Sequence, residues 1–444
     1  MKPKIQPSGA KQRNFYKVLL VDLVWPSHPL VRLADAINWQ EFDDFLGSGF
    51  CPDAGRSALS SRLMVGLLYL QYTYDLSDKA VAERWLESPY FQYFCGGVYF
   101  EHELPFDTSS LTRWRQRLDD SGAEQMLAAS IKAGLKEGFI RKSDLKRVAV
   151  DTTVAEKFIR FPTDARLYDR MRTKLVTAAR DRGIKLRQSY SRVGPKALIR
   201  VSGYYKARQF KRAKKQTSRL KTLLGRVSRD IRRKAEEFDG DLQHLLELSD
   251  RLLAQQRQSK NKLYSIHEPF AECIAKGKAH KRYEFGCKVG ITSSAKSNWI
   301  LGAMAFHGNP YDGHTLAQCL EQSERLGGEK HELAVCDLGY RKHNYEGGCD
   351  VQIVNRYRKR IPAAMRRWWK RRSAIEPVIG HVKSDHRLDR NRLKGKLGDR
   401  LGVLLSASGF NMKKMLRAYA QGVFSLLKRL FAQQIHCYGC LNLK

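Results

Sequence analysis

The sequence predicts an α/β fold, with a mixed five-stranded sheet that a helical insertion interrupts and a helical N-terminal domain precedes. Short β-branched and apolar runs end in aspartate at Asp151 and at Asp337. Apolar residues at helical spacing fill the chain before about residue 140 and again over 160–275. We therefore divide the chain into a helical domain (1–140), a sheet domain (146–410), a basic helical insertion within it (160–275) and an amphipathic C-terminal helix with a tail (411–444).

The first 140 residues are predicted to form helices that serve either DNA binding or dimerisation. Leucines recur at helical spacing over 63–70, and Ser77 is placed to begin a second helix. Thr108 and the two serines after it could cap a third helix. Arg113, Arg115 and Arg117 would suit a helix that reads DNA. They would also suit a core helix with an ordinary basic face, which is slightly favoured.

The middle of the chain indicates the order of the sheet elements. Strands are expected at 147–154, 283–292, 299–307, before Asp337 and at 351–355, and helices at 312–326 and around Glu376. Without the insertion, the order is three strands, a helix, the strand before Asp337, a short helix near Arg341, a strand and the helix of Glu376. That is the element order of the ribonuclease H-like fold.

The charge of the chain is concentrated in two segments. The 81 Lys and Arg exceed the 45 Asp and Glu by 36. Residues 157–235 contain 26 basic and 4 acidic residues, and residues 356–400 contain 16 and 4. Such segments favour contact with a polyanion, although solvated helix faces or a disordered arm would have the same composition. No apolar run reaches about 18 residues, so no membrane span is expected.

Three acidic residues are the strongest candidates for chemistry. Asp151 and Asp337 close strands, and Glu376 lies on a predicted helix. Carboxylate oxygens suit Mg²⁺, and two such ions can stabilise both oxygens of an in-line phosphoryl displacement. In a chain this basic, the expected substrate is a nucleic acid phosphodiester. Each aspartate alone would also fit a turn after a strand.

The surroundings of Glu376 allow two interpretations. On one continuous helix, Trp369, Arg372 and Lys383 fall within roughly 40° of Glu376. These three side chains would then contact phosphates and a base beside the metal ligand. Alternatively, Ser373 and Glu376 match a capping box at the start of a helix. Of the three residues, only Lys383 would then lie on the same helix face as Glu376.

At these residues the chain resembles bacterial insertion-sequence transposases of the DDE type, in the insertion-sequence-five group. The resemblance lies in 150–154, 161–165, 308–316 and 337–340, and most specifically around Glu376. The broader group has Tyr, Arg, Glu and Lys at spacings of three, four and seven. Here Arg372, Glu376 and Lys383 keep that spacing and Trp369 stands in the tyrosine place, while 375–381, which includes His381, also looks like the family.

The resemblance implies a transposase that cleaves mobile-element ends and joins their 3′-hydroxyls to target DNA. Asp151, Asp337 and Glu376 would bind two Mg²⁺ ions, for which Mn²⁺ could substitute. Arg372 and Lys383 would bind DNA, with Trp369 and His381 as weaker candidates. The expected partners are double-stranded DNA, both terminal inverted repeats and target, and further copies of the chain. The alternatives are a nuclease of the same fold that does not join strands and a catalytically inactive DNA-binding protein.

The expected location is the bacterial cytoplasm, in association with the nucleoid. The N-terminus lacks the apolar core of a signal peptide, and the nine cysteines are scattered.

Overall fold

A computed structural model describes residues 17–47, 58–235, 237–256, 258–260, 262–275, 282–355 and 361–441, with side chains of the final helix described to residue 422. The first five residues of the second basic segment, 356–360, lie outside this set. The chain divides into two compact units, residues 1–155 with 288–444, and residues 156–287. In the part that the structure describes, no helix combines the length and apolar character that crossing a bilayer requires.

Helices make up most of the chain. In chain order they are α1 (Leu20–Leu23), α2 (Pro29–Ala36), α3 (Gln40–Gly47), α4 (Ser61–Thr73), α5 (Asp78–Glu87), α6 (Pro89–Phe94), α7 (Ser109–Lys136), α8 (Lys142–Leu145), α9 (Asp164–Asp181), α10 (Val193–Lys206), α11 (Phe210–Lys234), α12 (Gly240–Ala254), α13 (Asp312–Gly327), α14 (Ala363–Arg372), α15 (Ile375–Asp385) and α16 (Gly395–Leu441).

Six strands form one mixed sheet. They are β1 (Arg147–Glu156), β2 (Glu272–Ala275), β3 (Tyr283–Ser294), β4 (Ile300–Phe306), β5 (Leu333–Cys336) and β6 (Asp350–Ile353). The order is β2-β3-β1-β5-β6, with β4 also paired to β3. Strand β5 runs parallel to both β1 and β6, and β3 and β4 form an antiparallel hairpin. The α/β class and the order of the predicted elements are confirmed.

The count of five strands was wrong. The additional strand, β2, pairs antiparallel with residues 283–286 at the start of β3. It has four residues, too few to show the two-residue alternation by which a strand is recognised in a sequence. Its pairing partner is the part of β3 that precedes the β3–β4 pairing.

The N-terminal helices confirm the predicted caps only in part. The Ser77 hydroxyl accepts a hydrogen bond from the Ala80 amide at 3.1 Å and caps α5. Helix α7 begins after Thr108, but the Thr108 side chain makes no capping bond. Arg115 is 6 % exposed, and its guanidinium donates to both carboxylate oxygens of Asp78. Arg115 therefore has a structural role, which fits the core-helix interpretation of α7.

Helix α16 is anchored to the edge of the sheet by one buried amide. Asn411 is fully buried, and its Oδ1 accepts from the Ile300 amide at 3.1 Å while its Nδ2 donates to the Ile300 carbonyl at 2.9 Å. The same Nδ2 lies 3.0 Å from the Ser130 hydroxyl on α7. Among the described strands, β4 pairs only with β3, so these bonds satisfy backbone groups at an open sheet edge. The boundary expected at residue 411 falls inside this helix.

The unit formed by residues 156–287 has its own apolar core. Helices α9 to α12 contribute buried side chains to one cluster, which includes Met171, Leu175, Leu224, Ile231 and Leu252. Asp239 caps α12 by accepting from the Leu242 amide at 2.8 Å. Because the buried positions are apolar, most of the basic residues of this segment lie on its surface.

Replacing Asn411 with alanine is expected to destabilise the protein by about 2–4 kcal/mol, because the Ile300 amide and carbonyl would lose their partners in a dry environment. The matched control is Ser408→Ala, also fully buried, whose hydroxyl bonds only the Leu404 carbonyl of its own helix. Urea unfolding should show a clearly lower midpoint for N411A than for S408A. Equal midpoints would contradict the anchoring role.

Candidate functional site

The two candidate aspartates lie side by side because of the parallel pairing of β1 with β5. The register pairs Arg147 with Leu333 and Ala149 with Val335, so extending it by two residues sets Asp151 opposite Asp337. Asp151 Oδ1 accepts from the Thr152 amide at 2.8 Å, and Asp337 Oδ1 accepts from the Gly339 amide at 2.9 Å. In each of the two carboxylates, Oδ1 is thus bonded to a backbone amide, and Oδ2 is left to make other contacts.

A single guanidinium joins the three candidate carboxylates. Arg372 Nη2 lies 3.0 Å from Asp151 Oδ2 and 3.2 Å from Asp337 Oδ2, and Nη1 lies 2.7 Å from Glu376 Oε1. The Arg372 side chain is 11 % exposed. Three carboxylates facing one guanidinium give the four side chains a formal net charge of −2, which favours binding of a further cation.

Glu376 reaches this cluster through a break between two helices. Helix α14 ends at Arg372 and α15 begins at Ile375, with no side-chain cap at its start. The Ser373 hydroxyl donates to the Lys370 carbonyl, and the Glu376 carboxylate accepts from Arg372. The capping-box interpretation was therefore wrong, and so was the single continuous helix.

The other predicted residues differ in exposure. Trp369 is buried, at 8 % exposure, and its Nε1 has no hydrogen-bond partner among the described residues. His381 is exposed, and its Nδ1 lies 2.8 Å from Asp385 Oδ2. Lys383 is half-buried two turns after Glu376 on α15. Arg372 is the DNA-binding candidate whose bonds to all three carboxylates define the cluster.

A fourth acidic residue, Asp312, was missed. A Cβ atom added to Gly339 would lie 3.0 Å from Asp337 Oδ1 and 3.1 Å from Asp312 Oδ2, so a larger residue there would press against both carboxylates. Asp312 Oδ1 accepts from Nζ of the buried Lys288 at 2.7 Å. The sequence signal was present, since Asp312 opens the helix predicted at 312–326.

The electrostatics next to the two aspartates keep a neighbouring thiol protonated. Cys336 is fully buried between Val335 and Asp337. Burial raises the pKa of the Cys336 thiol well above its usual value, and the negative charges of Asp337 and Asp151 raise it further. Cys336 is thus an inert core residue and contributes no thiolate to the site.

The donor set suits a divalent metal, but the guanidinium lies between the donors. All three groups are carboxylates, the hard oxygen ligands that Mg²⁺ prefers. Among the described residues, no group of three His, Cys, Asp or Glu side chains is close enough together to hold a metal ion. The side chains therefore suit the ion by ligand type, but in the arrangement held around Arg372 they do not form a metal site. Binding of an ion would require both the Arg372 guanidinium and the carboxylates to rearrange.

Comparisons with known families agree with this chemistry. Residues 19–117 match a family described as Transposase domain (DUF772), and residues 252–411 match the Transposase DDE domain. The chain belongs to the insertion-sequence DDE transposases. Enzymes with this domain are in general metal-dependent and cut DNA. The predicted family is confirmed, and the assignment to the insertion-sequence-five group stays a prediction.

The transposase also has a curated relative without an assigned function. It is 47% identical over 210 residues to the uncharacterized protein ORF8 in the nfe locus of Rhizobium meliloti. The similarity spans 47% of this chain and 100% of that protein. No solved structure matches the chain.

A basic pocket adjoins the helix that carries Arg372. It has a volume of 130 Å³ and is lined by Ser143, Asp144, Arg147, Lys296, Arg367 and Trp368. The guanidinium carbons of Arg147 and Arg367 lie 5.2 and 5.3 Å from the Trp368 ring. The tryptophan that the transposase presents beside basic side chains is therefore Trp368, one residue before the predicted Trp369.

Replacing Arg372 with alanine is expected to increase the stabilisation that Mg²⁺ gives the transposase. Without the guanidinium, the ion binds the carboxylates without having to displace a cation. A tenfold lower Kd would add about 1.4 kcal/mol at saturating Mg²⁺. Thermal unfolding with and without MgCl₂ measures this difference.

The matched control for this experiment is Lys370→Ala, which removes an exposed cation from the same helix. K370A should behave as the unaltered protein does. An equal Mg²⁺ effect in R372A and K370A would contradict the competition between Arg372 and the metal.

Proposed function

We propose that the chain is a DNA transposase that cleaves mobile-element ends and joins their 3′-hydroxyls to target DNA by two-metal-ion phosphoryl transfer. The observation that carries the proposal is the meeting of Asp151, Asp337 and Glu376 at one guanidinium. These carboxylates come from a strand, a strand end and a helix that are far apart in sequence, and local turn geometry gives no reason for them to converge. Lys383 is proposed as a further DNA contact.

A ribonuclease H-like catalytic domain is part of this proposal. Its support is the position of β1, which lies between the β3–β4 hairpin and the parallel strands β5 and β6. Asp337 then follows the carboxyl end of β5, at the edge where open α/β sheets bind their substrates, and Asp151 lies beside it within β1.

Asp151, Asp337 and Glu376 would hold the divalent ions, Mg²⁺ or Mn²⁺. When bound, such ions neutralise charge on the phosphate and on the leaving 3′ oxygen. The chain's own cations would position the DNA. A guanidinium released from the carboxylates could bind phosphate through Nη1 and Nη2, the atoms that it now turns to them. Its Nε, which has no hydrogen-bond partner among the described residues, offers a further donor.

The basic pocket beside α14 would hold the DNA next to the cleaved bond. Arg147, Lys296 and Arg367 are suited to phosphate, and Trp368 offers a ring for contact with a sugar or base. In this role Trp368 replaces the predicted Trp369, whose burial leaves little surface for stacking. His381, bonded to Asp385, stays a weaker candidate at the exposed side of α15.

The substitutions Asp151→Asn, Asp337→Asn and Glu376→Gln are each expected to abolish DNA cleavage. A loss of several kcal/mol in charge stabilisation corresponds to roughly 10³-fold or more in rate. DNA binding should persist, because none of these changes removes a positive charge. The assay uses a labelled DNA end with a free 3′-hydroxyl and a supercoiled target, in Mg²⁺.

The control is Asp350→Asn, an exposed acid at the start of β6 whose carboxylate bonds the Gln352 side chain. D350N should cleave and join DNA as the unaltered protein does. Cleavage that survives in D151N would refute the proposed site. Nicking without joined product would favour the nuclease, and DNA binding without cleavage would favour the inactive DNA-binding protein.

A further inference from the structure

Two aromatic side chains stand exposed at the end of the α10–α11 hairpin. Tyr205 in the last turn of α10 is 54 % exposed, and Phe210, the first residue of α11, is 60 % exposed. Their ring centroids are 6.0 Å apart, and the planes are inclined by 60°. Large apolar side chains that are exposed together usually mark a contact surface.

The hairpin end extends beyond the core that holds the helices together. Val201 is the last buried residue of α10 and Ala213 is the first of α11, and no side chain between them is buried. At 1.5 Å per helical residue, the end of α10 continues roughly 7 Å past Val201. The two rings therefore lie on a narrow protrusion that can enter a groove.

The turn that joins the helices is fixed by its backbone. Arg208 has a φ of +54°, and the Gln209 amide donates to the Tyr204 carbonyl at 2.8 Å. The Ala207 amide donates to the Gly203 carbonyl at 3.0 Å. These bonds close the end of α10, so the rings are presented by a preorganised turn, and little ordering entropy would be lost when it binds.

The charge around the two rings selects the class of partner. Residues 206–219 contain seven Lys and Arg residues and no Asp or Glu. The longer segment 182–229 contains 16 Lys and Arg residues and no Asp or Glu. Among the described residues, none of those seven cations takes part in an ion pair. Arg212 donates to the Gln209 side chain at 3.1 Å, which leaves its charge unneutralised. Cations without acidic partners on both sides of an apolar tip fit a polyanion whose interior is apolar, which is the structure of a DNA duplex.

We propose that the α10–α11 tip binds duplex DNA as a wedge, with Phe210 and Tyr205 entering a groove and separating a base step. Lys206, Lys211 and Arg212 bind the phosphates on either side. Apolar wedges of this kind kink DNA, so the tip bends the duplex. This inference rests on the proposed function only in that the chain acts on DNA. It concerns residues that have no part in the cleavage chemistry.

The test compares Tyr205→Ala/Phe210→Ala with Phe238→Ala in the full-length protein. Phe238 is an exposed aromatic of the same unit, but Glu237 and Asp239 flank it, so it is a matched control without a basic surrounding. Anisotropy titrations on a mixed-sequence duplex of about 30 base pairs give affinity, and energy transfer between dyes at its two ends gives bending.

The double variant is expected to bind the duplex about tenfold more weakly, as loss of roughly 1.4 kcal/mol of ring contacts predicts, and to leave it straight. Its salt dependence should be unchanged. Lys211→Ala/Arg212→Ala should instead lower the slope of log K against log salt by up to about 1.8. F238A should match the unaltered protein in both measurements.

The wedge would be overturned if the double variant kept its affinity for the duplex and its bending of it. It would also be overturned if affinity fell only for single-stranded DNA, or fell equally in F238A. A change confined to self-association or to binding of anionic vesicles would contradict it as well. Circular dichroism should show unchanged helix content, since both rings are exposed. If the unaltered protein cleaves and joins DNA while the double variant bends it normally, this inference fails and the proposed function stands.

Discussion

The contact of Arg372 with three carboxylates is the interaction on which the candidate site depends. Asp151, Asp337 and Glu376 would repel one another if no cation lay among them, and the Arg372 side chain is only 11 % exposed. Charge-assisted bonds of 2.7–3.2 Å in a partly buried setting are stronger than the ion pairs of an open surface. The site is therefore a cluster of three carboxylates held around the chain's own guanidinium. Under the proposed function, a divalent ion would compete with that guanidinium for the same oxygens.

The rest of the fold places these four side chains. Parallel pairing of β1 with β5 sets the two aspartates at the same level of the sheet, and Gly339 lets the following turn approach both Asp337 and Asp312. Glu376 lies four residues after Arg372, the spacing at which side chains meet on one face of a helical stretch, and the two residues between α14 and α15 keep helical dihedral angles. Burial of Trp369 fixes α14 in the core, and this leaves Trp368 in the basic pocket.

Local patterns predicted the elements but not the contacts between distant residues. The strand end before Asp337 and the Ser77 cap follow from β-propensity and capping chemistry, which a short window of sequence contains. The expectation that Asp151 closes its strand was wrong, because β1 continues to Glu156. Arg115 was ambiguous because its partner, Asp78, is 37 residues away and only the fold brings them together. The preference for Trp369 over Trp368 rested on helical phase and on the tyrosine place of the resembled family. Neither shows that the fold buries Trp369 and leaves Trp368 in the basic pocket. Ser373 matched a cap, but its hydroxyl donates to the preceding turn instead.

The most direct test of the account is the location of a bound ion by anomalous diffraction from crystals of the full-length protein soaked in Mn²⁺. The account predicts anomalous peaks among the carboxylates of Asp151, Asp337 and Glu376, with the Arg372 guanidinium moved out of contact with them. Mn²⁺ bound elsewhere, or Arg372 still joined to all three carboxylates at saturating Mn²⁺, would contradict it.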